Sequence, residues 1–206
     1  MIRTPEWITA LEATKEARQI IVVAGVGETT AFVSMHEKMS DGTWRQVMST
    51  PGFIGRRGLG KEREGDEKTP VGVFRFTAAF GNLEDPGCAL PYTHVDPGHY
   101  WSGDHRPGMR YNKMVHISEL PELDRENSEH LVDFGACYNY CLDMGYNRDC
   151  VVDLGSALFF HCLSPVQPYT AGCVAVPETA MHTVMTHVQP DCVLVIDSLE
   201  RLGGSI

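Results

Sequence analysis

From residue 20 onward the apolar residues of this chain fall in short runs, some continuous and some alternating. A chain patterned in this way has to bury sheet faces rather than long helical stripes. The runs are Ile20 to Val26, Thr30 to His36, Thr43 to Met48, Val71 to Thr77, Met114 to Ser118, Tyr138 to Met144, Ala157 to Cys162 and Cys192 to Asp197. Gly27-Glu28 and Asp41-Gly42 supply turn chemistry between the first three, which predicts that a hairpin meander opens the sheet.

Two stretches carry helical spacing instead. Thr4 suits an N-cap, Pro5 suits a first helical turn, and Trp7, Ala10, Leu11, Thr14 and Ala17 share one face. This predicts a helix within residues 1–19 that braces a domain of residues 20–206. Pro177 to Val188 reads as a second helix, with Ala180, Met181, Val184, Met185 and Val188 as its apolar stripe. The expected fold is mainly β with a few packed helices. Two segments dense in Gly, Pro and charge, Gly52 to Pro70 and Gly81 to Tyr111, read as long functional loops.

The length of 206 residues suits one domain, and 43% hydrophobic against 21% charged residues is enough to fill a core. A formal net charge of -10 repels polyphosphate, so no nucleic-acid partner is expected. Ile20 to Val26, the longest apolar run, is far short of the roughly 20 residues that cross a bilayer, so no membrane span is expected. No apolar region follows the single charge in Met1 to Glu6, so the start does not read as a signal peptide. Seven cysteines include no Cys-x-x-Cys pair, and their pairing is left open.

The chemistry concentrates late in the chain. An apolar strand delivers His161 at its end, a loop of Leu163 to Thr170 follows, and Gly172 immediately precedes Cys173. An imidazole beside a thiol lowers its pKa from about 8.5 into the range of roughly 3.5 to 7.5, and the thiolate is the attacking species. Gly172 lets a substrate carbonyl approach and lets neighbouring amides turn toward it as an oxyanion hole, while Thr170 holds the turn. Gly87-Cys88 has the same dipeptide without a histidine-bearing strand before it, so Gly-Cys alone carries no weight.

His161, Thr170, Ala171, Gly172, Cys173 and Val174 resemble the signature of the L,D-transpeptidase catalytic domain (YkuD-like) family. Its upstream segment is matched by Gly65-Asp66-Glu67-Lys68-Thr69-Pro70-Val71-Gly72-Val73-Phe74, and Leu90-Pro91-Tyr92, Trp101, Asp104 and Tyr111-Asn112 resemble the extra segment of a subgroup. Many members differ at the positions of Ala171 and Ala175 and have a longer loop between histidine and cysteine. The resemblance implies a β-sandwich-like domain in the cell envelope, acting on peptidoglycan stem peptides as an exported form whose signal has been removed, with a cytoplasmic location as the alternative. It implies Cys173 as nucleophile, His161 as base, a nearby main-chain carbonyl of His161 or Cys162 as orienter, and no metal or cofactor. An amine would resolve the thioester into a cross-link, and water would make the protein an L,D-carboxypeptidase. A peptidoglycan-binding domain with an inert thiol is the non-catalytic alternative.

Other clusters have plainer readings. His94, His99 and His105 are five and six residues apart, a spacing that does not converge on zinc, and His182 and His187 fail helical geometry in the same way. Arg56, Arg57, Lys61, Arg63 and Lys68 are interleaved with Glu62, Glu64, Asp66 and Glu67, which predicts a salt-bridged loop in which one Arg is available to a carboxylate. Tyr169 and Trp101 are the candidate substrate contacts, with Tyr92 and Tyr111 as further aromatics beside the groove.

Overall fold

The alternating runs pair as their turn residues predict. The computed structural model describes residues 2–205. β1 (Gln19–Gly25), β2 (Thr30–Lys38) and β3 (Trp44–Phe53) form an antiparallel meander, with Ile21 level with Met35 and Val33 level with Thr50. β4 (Gly72–Arg75), β5 (Ala79–Gly81) and β6 (Tyr92–His94) come next. An insertion follows, containing β7 (His99–Trp101), β8 (Met114–His116) and β9 (Glu129–His130). β10 (Cys141–Asp143), β11 (Phe159–Cys162), β12 (Val174–Val176) and β13 (Val193–Ser198) complete the set. Among the described residues the main sheet runs β4-β13-β1-β2-β3-β12-β11-β10-β5-β6, and β8-β7-β9 form a second, small sheet.

The main sheet curls around one core. Ile21 and Val23 of β1, Val33 and Met35 of β2, Phe160 of β11 and Val174 and Val176 of β12 pack together there. Met181, Val184 and Met185 of α2 (Glu178–His187) cover the same core, as the apolar stripe predicts. Each such side chain, fully removed from water, contributes about 1.5–3 kcal/mol. The insertion packs on the other side of β11 through Trp101, which meets Phe80 of β5 and Phe159 of β11, and its own sheet buries Tyr100, Val115, Leu120 and Leu123.

The single N-terminal helix is not what forms. α1 spans only Glu6–Thr9, a 3-10 turn covers Glu12–Thr14, and Leu11 between them is extended at φ -62, ψ 138. Thr4 caps nothing, because its N–H goes to the Trp44 carbonyl and its hydroxyl to Nδ1 of the buried His36 at 2.9 Å. The apolar spacing had a different cause: Ile8 and Ala17 dock on the outer face of β1 and β13, and short turns are enough to place them there.

The insertion is tied down by the residues that resemble the subgroup. Asn112 accepts Trp101 Nε1–H at 2.9 Å and the Ala157 N–H at 3.1 Å, and it donates to the carbonyls of Tyr146 and Asn147. Asp104 takes a bidentate contact from Arg106. The arginine holds that carboxyl well below the usual carboxylate range, although burial opposes the shift.

Candidate active site

β11 and β12 are parallel neighbours, with Phe160 level with Val174 and His161 level with Ala175. Side chains alternate across a sheet. Phe160 and Val174 therefore enter the main core, and Phe159, His161, Cys173 and Ala175 face the other side. Cys173 and His161, each 8% exposed, line one cavity of about 280 Å3 with Glu64, Glu129, Tyr138 and Tyr169.

The turn that seats Cys173 is clamped twice. Thr170 Oγ1 accepts the Gly172 N–H at 3.0 Å and donates to the Cys173 carbonyl at 2.7 Å. Thr69 Oγ1 accepts the Gly55 N–H at 2.8 Å and donates to the same carbonyl at 3.2 Å. Gly172 sits at φ +141, where an added Cβ would lie 2.8 Å from the Lys68 carbonyl oxygen. Gly172→Ala is therefore expected to destabilise the fold by about 1–3 kcal/mol, read as a lower urea midpoint. An unchanged midpoint would contradict this seating. One expectation changes here: the Gly172 N–H is committed to Thr170, so it is not a free oxyanion donor.

Asp66 organises the upstream segment. Its carboxylate accepts Lys61 Nζ at 2.9 Å and the N–H groups of Glu62, Arg63 and Lys68 at 2.7, 3.1 and 3.1 Å. Burial alone would raise its pKa, but these four donors more than offset that and hold the carboxyl well below the usual range. The Lys61 side chain is 1% exposed and that of Asp66 8%, so the salt-bridged loop that the sequence predicts holds one of its pairs buried. Arg56 does lie on the surface, 3.8 Å from Glu67 and 5.2 Å above the Tyr169 ring.

The thiol and the imidazole rest neutral. Sγ accepts the Phe159 N–H at 3.3 Å and points toward the Ala157 carbonyl at 3.4 Å, while His161 Nδ1 lies 2.8 Å from the Cys162 carbonyl. Burial pushes the Cys173 thiol up to about 12, and the charge of Glu129 adds to the rise. Burial likewise brings His161 down to about 4, against the opposing main-chain carbonyls of Cys162 and Cys137. The expected imidazole-lowered thiol is thus corrected. Desolvation favours the neutral form of both groups, so any attack has to move the proton as the S–C bond forms.

Burial also brings His36 down to about 4. Above pH 6.5 both folded and unfolded chains carry neutral imidazoles, so His36 and His161 add no pH dependence there. As pH falls from 6.5 to about 4, the unfolded chain takes up protons that the folded chain refuses. Stability is then lost by on the order of 3 kcal/mol per histidine. Urea unfolding at pH 7 and pH 4.5 should show this drop. His161→Gln should show a smaller one, and an equal drop in both proteins would remove His161 from the account.

The remaining candidates separate. Tyr169 lines the thiol cavity. Trp101 does not; it is 4% exposed, stacks on Phe80 and lines the adjoining cavity, because the core of the insertion claims its ring. His94 pairs with Glu84, and His99 joins Asp96 and His116 with ligand atoms within 4.8 Å, so the three loop histidines do not converge. That cluster is internally hydrogen-bonded, with Asp96 Oδ1 also accepting the Gly98 N–H at 2.7 Å. All seven cysteines are free. Glu64, Glu129 and Tyr138 also line the thiol cavity. No motif marked them, because they arrive separately, from a loop, from a strand of only two residues and from the end of the 3-10 segment Leu131–Tyr138.

The sequence matches the L,D-transpeptidase catalytic domain (YkuD) over residues 20–196. The chain belongs to that family. No curated protein matches it. Among solved structures it is similar to the helical cell shape determining protein Pgp2 from Campylobacter jejuni, with 14% identity and a TM-score of 0.48 over 87% of this chain. The chain spans 47% of the length of that protein.

Proposed function

We propose that the protein is a cysteine L,D-transpeptidase acting on peptidoglycan stem peptides outside the cytoplasmic membrane. The observation that carries this reading is the shared cavity: Cys173 and His161 reach it from adjacent parallel strands, and Thr69 and Thr170 lock the backbone of the cysteine. In the forward step His161 takes the thiol proton as sulfur attacks the carbonyl of the third, L-centred residue of a tetrapeptide stem. The amide C–N bond breaks, the proton passes to the departing D-alanine amine, and a thioester remains. The amide of Cys173 itself takes the oxyanion role that Gly172 does not fill, and such a donor typically contributes about 3–4 kcal/mol to the transition state. The hydrogen bond between His161 and the Cys162 carbonyl orients the ring.

No helix among the described residues is long and apolar enough to cross a membrane. The test is to incubate the purified protein with a defined tetrapeptide stem, with and without an acceptor amine, and to follow D-alanine release and the mass of the chain. A thioester on Cys173 and an amine-dependent cross-linked product are expected. A mass that never changes, in a protein that remains folded, would remove the proposal in favour of a binding domain.

A further inference from the structure

One end of the small sheet in the insertion gathers three metal-ligating side chains. The turn Asp96-Pro97-Gly98 leads into β7 and is closed by the His99 N–H on the Asp96 carbonyl at 3.0 Å and by the Gly98 N–H on Asp96 Oδ1 at 2.7 Å. His99 then stands level with His116 across the antiparallel β7–β8 pair, with ring centroids 4.8 Å apart. Gly98 leaves the room that the His116 ring needs, because a Cβ at that position would overlap the ring. The ring therefore crosses the turn. It brings Nε2 to 3.2 Å from Asp96 Oδ1, and His99 Nδ1 reaches the same oxygen at 3.1 Å. The three ligand atoms lie within 4.8 Å of one another, and none of the three residues lines the thiol cavity.

We propose that Asp96, His99 and His116 bind a divalent transition-metal ion of the zinc class, which pins the turn 96–98 to both strands of the small sheet. The main-chain N–H of Asp96 donates to His99 Nδ1 at 3.1 Å, so that nitrogen already stands in the unprotonated form that a metal requires. Its lone pair and the Asp96 carboxylate oxygen then face each other with no proton between them. A cation relieves that repulsion. The spacings of 3.1 and 3.2 Å lie close to the edge of about 3.3 Å that a tetrahedron has around an ion with bonds of about 2.0–2.1 Å, and binding has to shorten only the third edge. The ligands are also supported from behind. Ser118 Oγ lies 2.6 Å from His116 Nδ1, where it accepts that N–H once Nε2 is given to the ion, and His130 Nε2 donates to the Pro97 carbonyl at 2.9 Å and holds the turn. Two imidazoles with one carboxylate select Zn2+, Co2+ or Ni2+ over Mg2+ and Ca2+, which prefer oxygen ligands alone. The side chains of Asp96 and His116 are 57% and 32% exposed, so the ion enters from solvent and water fills its remaining position.

The test is a titration of the purified, tag-free and chelator-treated chain with CoCl2, followed by ZnCl2. Wild type is expected to take up one Co2+ with micromolar affinity and to show visible absorption without a sulfur-to-cobalt charge-transfer band. Zn2+ should displace the cobalt and raise the thermal unfolding midpoint, and Mg2+ at the same concentration should do neither. His116→Phe, which keeps a ring over Gly98, should bind at least about 100-fold more weakly and lose the midpoint shift. Asp96→Asn keeps an acceptor for the Gly98 N–H without the charge, and it gives the same comparison should the phenylalanine variant fail to fold. The wild-type spectrum reads the ligand set with no variant at all. Uptake that needs millimolar metal, a cobalt spectrum carried by sulfur, or a folded variant that binds as tightly as wild type would each overturn the site.

Discussion

Cys173→Ala is expected to fold like the wild type and to form no covalent adduct with a tetrapeptide stem or a carbapenem. Transfer and D-alanine release should both fall to background, a loss of about 1000-fold or more, because sulfur 173 is the attacking atom of the proposed reaction and the other thiol on the cavity wall, Cys137, stands on the 3-10 segment Leu131–Tyr138 rather than on the turn that leads into β12. The fold should tolerate the change. The turn is held by the Cys173 carbonyl and by the side chains of Thr69 and Thr170, so the loss is limited to the missing buried atom and the Phe159 N–H that Sγ accepted, about 1–3 kcal/mol. Mass spectrometry of intact protein measures the adduct, and urea unfolding measures the fold. A carbapenem adduct that persists on the alanine variant would place the nucleophile elsewhere among the remaining cysteines and overturn the assignment.

Asp66→Ala should act in the opposite way, on the fold first and the chemistry second. Lys61 would keep its buried charge with its partner gone, and the N–H groups of Glu62, Arg63 and Lys68 would lose their acceptor. Breaking one side of a buried pair costs about 3–5 kcal/mol. The loop between Gly60 and Thr69 also positions the Thr69 hydroxyl on the Cys173 carbonyl, so residual folded protein should acylate more slowly than wild type. Asp66 is depressed in the folded state, so its contribution is present above the ordinary carboxylate value of 3.8 and lost as pH falls below it. The urea midpoint at pH 7 measures the loss. A variant within 1 kcal/mol of wild type would show that Lys61 finds water or another acceptor and that the motif is not organised through Asp66.

The long strands were legible in the sequence because a run of several apolar residues, continuous in β1 and β13 and interrupted by polar ones in β2, stands out from its turn-rich flanks. β1, β2 and β13 lie close to their runs, β3 starts where it was read but continues past Met48 to Phe53, into the segment read as a loop, and α2 announces itself through Pro177 and its apolar stripe. β6, β7 and β9 were hidden, since two or three residues inside a segment rich in Gly, Pro and charge carry no period to detect. Their pairing is decided by tertiary contacts such as Phe80 against Trp101. The N-terminal misreading has a related origin: docking on the outer face of the sheet requires apolar residues at intervals, and turns meet that requirement as well as a helix does. In the cavity, His161, Thr170, Gly172 and Cys173 could be read because the chain brings them together within a dozen positions. Glu129 could not, because nothing local ties it to a thiol 44 positions later. The resting protonation of the pair was also out of reach, since burial is a property of the assembled fold.

The segment 163–173 joins β11 to β12 without a helix, and it contributes Ser164, Gln167, Tyr169 and Ala171 to the cavity wall. The imidazole leaves one strand before this segment starts, and the thiol is fixed by the Thr170 turn as it ends. Leu163 is still tied to β12 through its N–H to the Val176 carbonyl at 2.8 Å, so residues 164–168 are the part expected to tolerate a change of length or composition while the reacting atoms keep their registration. Changes within that stretch are expected to reshape one wall of the cavity while His161 and Cys173 stay on their strands.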